Sequence, residues 1–350
     1  MRAGFNGKSS IFAIAYAGLA FSANALASDN NPLFTIDGKI FAPQDLTPAE
    51  QARLYELENN RFKAVESLAR QHYVEEKIAK YVKLNSADKP FAAEEKWLNK
   101  SFTPTQAEVD KSLETFKNEK QLQDLPAAER AKVMVRYLSA QNRVKALTEA
   151  TDKAIEKGEI KVAVRAPQAP VIDIKQSSQA TLGDAKAAIR VVEFTDFQCP
   201  YCRKLSSVTQ EVLRKHGASL NWEVRHFPLS FHKHARSAAA AVYCASLQGK
   251  LADAKKWVFE AQDKLGDEKF YADMSKALAL KSDSFDKCRS AESTEKLIAA
   301  DIAEGERVGV QGTPSVFVNG RRFEGDVHSL EAWDNLIQSI KPGSKSVQTL

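Results

Sequence analysis

Cysteine is scarce in this chain: there are four, at positions 199, 202, 244 and 288 of 350. A chain of this length can bury a core without covalent staples, so a disulfide-dense scaffold is excluded. The few thiols are left for redox work plus at most one structural bridge. Beyond the N-terminal segment no apolar run is long enough to span a membrane. Polybasic blocks are missing too. The net charge of +5 comes from interspersed residues of both signs, which is no nucleic-acid footprint, and no nucleic-acid partner is expected. No fixed-period repeat runs through residues 29 to 165. Zinc-like spacing is also absent. Cys199 and Cys202 could form half of a site, but Cys244 and Cys288 stand alone and His232 and His234 are one residue apart. No metal and no cofactor are expected, and the two histidines read as surface residues of a loop.

The N-terminus has the form of an export signal. Arg2 and Lys8 precede an apolar stretch from Ile11 to Phe21, and Ala25, Leu26 and Ala27 make a small-x-small cleavage site. Cleavage after Ala27 is expected, with an uncleaved anchor as the alternative. The remaining 323 residues, carrying about +3, are enough for two domains. A periplasmic location follows, where disulfides form and persist.

Residues 28–160 read as a helical domain. Thr47, Pro48 and Glu50 form a capping-box start, and Leu54, Leu57, Val65 and Leu68 follow at helical spacing. Thr103 and Pro104 repeat the start signal, and a third start falls at Pro126 and Glu129, with an end near Gly158. Arg61, Lys77, Lys80, Lys145 and Lys153 interrupt or flank the apolar faces. Long helices with narrow stripes are often completed by a partner chain. An arm for homo-oligomerisation and a self-contained helical domain are both compatible with this pattern. Residues 161–180, with Pro167 and Pro170, read as an extended linker.

From residue 181 strands alternate with helices. Residues 190–196 lead into a helix over 200–216, and Leu220 to Phe227 form a second, parallel strand. An Ala-rich helix spans 234–248. A hairpin turns at Asn319 and Gly320, a last helix runs from Leu330 to Ile340, and 342–350 read as a disordered tail. Trp222 and Trp333 are core candidates.

The chemistry is carried by Cys199-Pro200-Tyr201-Cys202, placed where a strand meets a helix. Such a C-x-x-C reads as a dithiol redox centre. Cys199 falls at the helix start, where free N–H groups and the helix dipole favour a thiolate. Pro200 suits the first turn, and Cys202 sits one turn inside as the resolving thiol. Far downstream, Thr313 and Pro314 precede a strand. A cis proline there, set against the dithiol, would expose backbone groups of Thr313 to an extended peptide.

Taken together, the run Val192 to Cys202, His226 to Leu229, the Ala-rich helix with Cys244, and Val310 to Pro314 followed by Val318 to Gly320 resemble the DsbA family of periplasmic disulfide oxidoreductases. The resemblance covers about 181–341. It implies an α/β thioredoxin-like fold with an inserted helical domain at about 233–308, here preceded by the all-α N-terminal domain. It implies Cys199 as nucleophile, Cys202 as resolver and Pro314 as the cis proline. Glu193 would be the buried acid that helps the inner thiol exchange its proton. Some members carry a second bridge, so Cys244 and Cys288 are either a structural disulfide or two free thiols. The family's oxidases have His where this chain has Tyr201, and Val where it has Thr313. Those departures, and the N-terminal helices, are similar to isomerase-like ScsC proteins. Residues 32–82 also bear a faint likeness to the N-terminal domain of SurA-type chaperones.

The expected function is exchange of disulfides with unfolded or misoxidised secreted proteins, leaning to isomerase or reductase, with a membrane redox partner resetting the dithiol. An oxidase of DsbA type is the near alternative. A periplasmic holdase acting through the helical domain is the alternative of another class.

Overall fold

The computed structural model describes residues 32–82, 89, 91–177 and 181–340. The signal segment 1–27 and the tail 342–350 lie outside the described residues. The chain divides into two compact units, one of residues 53–169 and one combining residues up to 52 with 170 onward.

The first elements depart from the helical expectation. Strands β1 (Phe34–Ile36) and β2 (Lys39–Phe41) pair antiparallel. Asp37 and Gly38 connect them with φ of 50° and 79°. Two left-handed residues of Asp-Gly type make the tight turn that matches strand twist, so this stretch closes as a hairpin. Helix α1 (Pro48–Ile78) then starts on the Thr47–Glu50 capping box.

Within residues 53–169 lie the rest of α1, then α2 (Ala92–Leu98), α3 (Gln106–Thr115), α4 (Lys120–Gln123) and α5 (Ala127–Glu156). The cap of α3 is Thr105, two residues later than the Thr103 start read from sequence. Glu108 returns the bond to Thr105 and completes the box. Polar ties join the helices of this unit. Arg70 bonds Glu66, Thr151 and Asp152, and Arg143 bonds Glu94. Its buried apolar side chains are few, Phe102, Val109 and Met134 among them. No residue of α1 is buried, and Leu57 and Leu68 are exposed.

The second unit is built on a five-stranded sheet. After the short β3 (Thr181–Gly183), which had no sequence signal, β4 (Ile189–Thr195) leads into α6 (Pro200–His216), and β5 (Leu220–His226) returns parallel to β4. Helices α7 (Ala235–Ser246), α8 (Leu251–Glu260), α9 (Phe270–Ala277), α10 (Ser282–Arg289) and α11 (Glu292–Arg307) make the insertion. Strands β6 (Ser315–Val318) and β7 (Arg321–Arg322) and helix α12 (Leu330–Ile340) complete it. The strand order is β3-β5-β4-β6-β7, with every pairing but β4–β5 antiparallel. This is the thioredoxin-like arrangement with inserted helices expected from the sequence.

β4 is central and almost wholly buried, as a strand covered on both faces must be. On one face α6 seats Cys202, Leu205, Thr209 and Val212, and Trp222 packs on Trp333 with ring centroids 4.9 Å apart. On the other, Phe194 meets Phe227 and Phe317 edge-on. α11 passes that cluster at Gly305, where an added Cβ would lie 2.6 Å from the Phe227 ring. Gly305→Ala is therefore expected to cost about 1–3 kcal/mol through forced repacking. Urea unfolding measures it, and an unshifted midpoint would refute the packing argument.

The proline-rich stretch does not remain a linker over its whole length. From Pro170 it is a strap on the sheet. Ile172 and Ile174 are buried against Phe194 and Phe317. The Ile172 N–H donates to Gly320 O at 2.8 Å, and Lys175 N–H donates to Glu304 Oε1 at 2.7 Å. Alternate apolar residues at 172 and 174 are a strand-like pattern that the prolines mask.

Cys244 of α7 and Cys288 of α10 are joined by a disulfide, with Cα atoms 5.8 Å apart.

Candidate active site

Cys199 is the N-cap of α6, in extended conformation with φ −76° and ψ 126°. Asp196 O accepts its N–H at 3.1 Å, and Pro200 takes the first helical position, where a missing N–H costs nothing. Tyr201 is 60% exposed, whereas Cys202, one turn in, is fully buried. Both cysteines carry free thiols.

The two thiols differ sharply in acidity. A hydrogen bond from the Cys202 thiol, against the opposing effect of burial and aided by the backbone N–H groups of Cys202 and Tyr201, lowers Cys199 from 9.0 to about 5. Burial pushes Cys202 well above the ordinary thiol range, and the Cys199 sulfur adds to that. One sulfur is thus ready to act as a nucleophile near neutrality, while the other holds its proton.

The Thr313–Pro314 peptide is cis. The Cys199 thiol lies 3.4 Å from the Thr313 carbonyl oxygen, so the dithiol and the proline loop share one site. Beneath it, Glu193 of β4 is fully buried. Its Oε2 accepts from Trp222 Nε1 at 2.7 Å and pairs with Lys255 of α8, while Oε1 has no partner. Glu193 is therefore a paired carboxylate.

Sequence reasoning missed Lys255. It stands among Leu251, Ala254, Val258 and Phe259 on the buried face of α8, and a lysine at core spacing is the signal that could have found it. It also misplaced His232, which is half-buried. His232 Nδ1 lies 2.8 Å from Asp196 Oδ2, the oxygen that also accepts from Leu229 N–H at 2.7 Å. The Asp196 N–H faces the Cys202 sulfur at 3.5 Å. Gln262 of the insertion donates to the carbonyls of Phe197 and Cys199, both at 3.0 Å. His234 takes part only through its backbone, donating to Gln198 Oε1 at 2.7 Å. Finally, His328 ahead of α12 reaches the Tyr201 carbonyl at 3.1 Å. Trp222 and Trp333 are fully buried.

The thioredoxin family model Thioredoxin_4 matches residues 175–339. Among curated relatives, the Na(+)/H(+) antiporter NhaA 1 of Mycolicibacterium vanbaalenii is 32% identical over 168 residues, 47% of this chain and 26% of the antiporter. NhaA 3 of Salinispora tropica is 33% identical over 160 residues, 45% of this chain and 24% of that protein. The chain thus spans about a quarter of the length of these curated relatives. Among the described residues no helix is long and apolar enough to cross a membrane. Solved structures with a similar fold include Wolbachia pipientis alpha-DsbA1 (23% identity, TM-score 0.42, 47% of this chain and 91% of that one). Bacillus subtilis BdbD (20%, TM-score 0.43, 49% and 98%) and the catalytic domain of Proteus mirabilis ScsC (16%, TM-score 0.41, 47% and 89%) are similar in the same way. With its family match, its sheet order and its helical insertion, the segment 175–339 is a thioredoxin-like domain that carries the free thiols of Cys199 and Cys202 at the start of α6.

Proposed function

We propose that this protein is an exported thiol–disulfide oxidoreductase acting on cysteines of secreted proteins. The carrying observation is the split acidity of the C-x-x-C pair, with Cys199 at about 5 on a helix N-terminus and Cys202 buried and held protonated. The Cys199 thiolate attacks a substrate disulfide, forming a mixed disulfide and expelling a substrate thiolate. In isomerisation, another substrate thiolate then attacks the mixed disulfide and releases Cys199. In reduction, Cys202 loses its proton and attacks the Cys199 sulfur, so the substrate leaves as a dithiol and the enzyme as a disulfide. A membrane partner would reset the dithiol. Arg2, Lys8, the apolar stretch from Ile11 and the Ala25–Ala27 site support export to the periplasm.

Thr313 and Tyr201 support the isomerase or reductase direction. The low Cys199 pKa favours the oxidase direction, because a stabilised thiolate makes its disulfide a stronger oxidant. Scrambled and reduced ribonuclease, each incubated with the mature protein, separate the two. Reactivation of the scrambled form supports an isomerase, and rapid oxidation of the reduced form alone supports an oxidase. Failure in both assays would sink the reading.

A second reading, a holdase, is favoured by one observation. α1 runs for 31 residues without burying one, and leaves Leu57 and Leu68 exposed. Residues 28–160 would then hold unfolded chains or assemble copies of the protein. Suppression of aggregation retained by Cys199→Ala would support it.

A further inference from the structure

We propose that His328 is a positioning residue that holds the Cys199 thiolate through the peptide joining Tyr201 to Cys202. The inference rests on the oxidoreductase reading and adds a residue to its site.

His328 lies in the loop between β7 and α12. Its Nε2 stands 3.1 Å from the Tyr201 carbonyl oxygen. A carbonyl can only accept, so Nε2 carries the hydrogen and donates it. The ring is set from behind by Asp326, whose Oδ1 accepts the His328 backbone N–H at 2.9 Å and lies 3.3 Å from ring Nδ1. Asp326 is the charged group recorded against the ring. The Tyr201 ring, at a centroid distance of 6.4 Å, is its aromatic neighbour.

The Tyr201 carbonyl and the Cys202 N–H are opposite ends of one peptide unit. That N–H is among the donors that favour the Cys199 thiolate. A donor on the oxygen end polarises the unit and makes its N–H a stronger donor at the other end. His328 thus donates to the oxygen end of a peptide whose N–H end, at the third position of α6, is one of the free first-turn donors beside the N-cap Cys199. The DsbA resemblance implies a histidine inside the dipeptide in oxidases. Here Tyr201 fills that place, and a histidine 127 residues away in sequence reaches the same dipeptide from another loop.

The test is titration of the Cys199 thiolate by its ultraviolet absorbance in the reduced mature protein, with thermal unfolding alongside as a control for folding. His328→Leu removes the donor. Its titration midpoint should rise by about 0.5–1 pH unit, a roughly three- to tenfold change in the thiol–thiolate equilibrium. His328→Gln keeps an N–H that can reach the carbonyl and should titrate close to the wild type. A His328→Leu midpoint equal to wild type overturns the inference, as does a His328→Gln midpoint displaced as far as the leucine variant's. These outcomes leave the oxidoreductase reading standing. A wild-type protein whose Cys199 forms no thiolate below the ordinary thiol range would overturn both.

Discussion

Cys199→Ser is expected to lower disulfide exchange by a factor on the order of 10³ or more, to the uncatalysed background, because Cys199 is the sulfur that makes the first attack on the substrate disulfide. Cys202→Ser should behave differently. It keeps the nucleophile but removes the resolving thiol, so mixed disulfides between Cys199 and substrate should accumulate and show on non-reducing gels. Alkylation supplies the pH dependence. With Cys199 at about 5, its reaction with iodoacetamide should rise through a midpoint near pH 5 and be flat from about pH 6.5 to 8. The linkage has a definite sign. A thiol lowered on folding stabilises the reduced protein fully above the unfolded value of 9.0, and that contribution fades and is lost as pH falls through about 5. The reduced form should thus gain stability relative to the disulfide form between pH 5 and 9. Full exchange activity in Cys199→Ser, or an alkylation midpoint near 9, would refute this account.

Lys255→Met is expected to destabilise the second unit by about 3–5 kcal/mol, since it leaves the Glu193 carboxylate buried without its cation. Both side chains are within 3% of complete burial, and Glu193 Oε1 has no partner to begin with. The Trp222 N–H remains as a donor to Glu193, but one neutral donor does not replace an ammonium group. Replacing both residues, as in Lys255→Met with Glu193→Leu, should recover most of the loss, because the cost lies in the unpaired charge. Urea unfolding of the reduced protein measures both variants. A single variant as stable as wild type would show that Glu193 does not depend on Lys255.

The parts of the site legible in the sequence are those encoded by neighbours. Cys199 and Cys202 follow a buried strand, Pro200 fits a first helical turn, and Asn319-Gly320 makes a two-residue turn. Each depends on a local pattern. The hairpin at Phe34–Phe41 is also local, but its Asp37-Gly38 signal stands just ahead of a long helical stretch, within residues whose pattern reads as helical. What was not legible joins distant segments. Lys255 is 62 residues from Glu193, and His232 is 36 from Asp196. No periodicity marks such pairs, because the sheet and the insertion bring them together only after folding. The strap at Ile172 and Ile174 was hidden differently. Its alternation is too short to outweigh the prolines before it, and its anchors, Gly320 and Glu304, lie far along the chain.

The tilted Trp222–Trp333 pair gives the catalytic unit an optical reporter. Three of the chain's four tryptophans, at 222, 257 and 333, belong to this unit, and Trp97 alone lies in the helical one. Trp222 sits in the same buried cluster as Cys202, with its indole N–H on the carboxylate of Glu193. Emission from this pair is expected to shift with the oxidation state of the dithiol and with loosening of the sheet, which fluorescence of the reduced and oxidised protein checks. Excitation at the indole band therefore reports mainly on the redox unit, with Trp97 the one contribution from the helical unit, and needs no dye on either active-site sulfur.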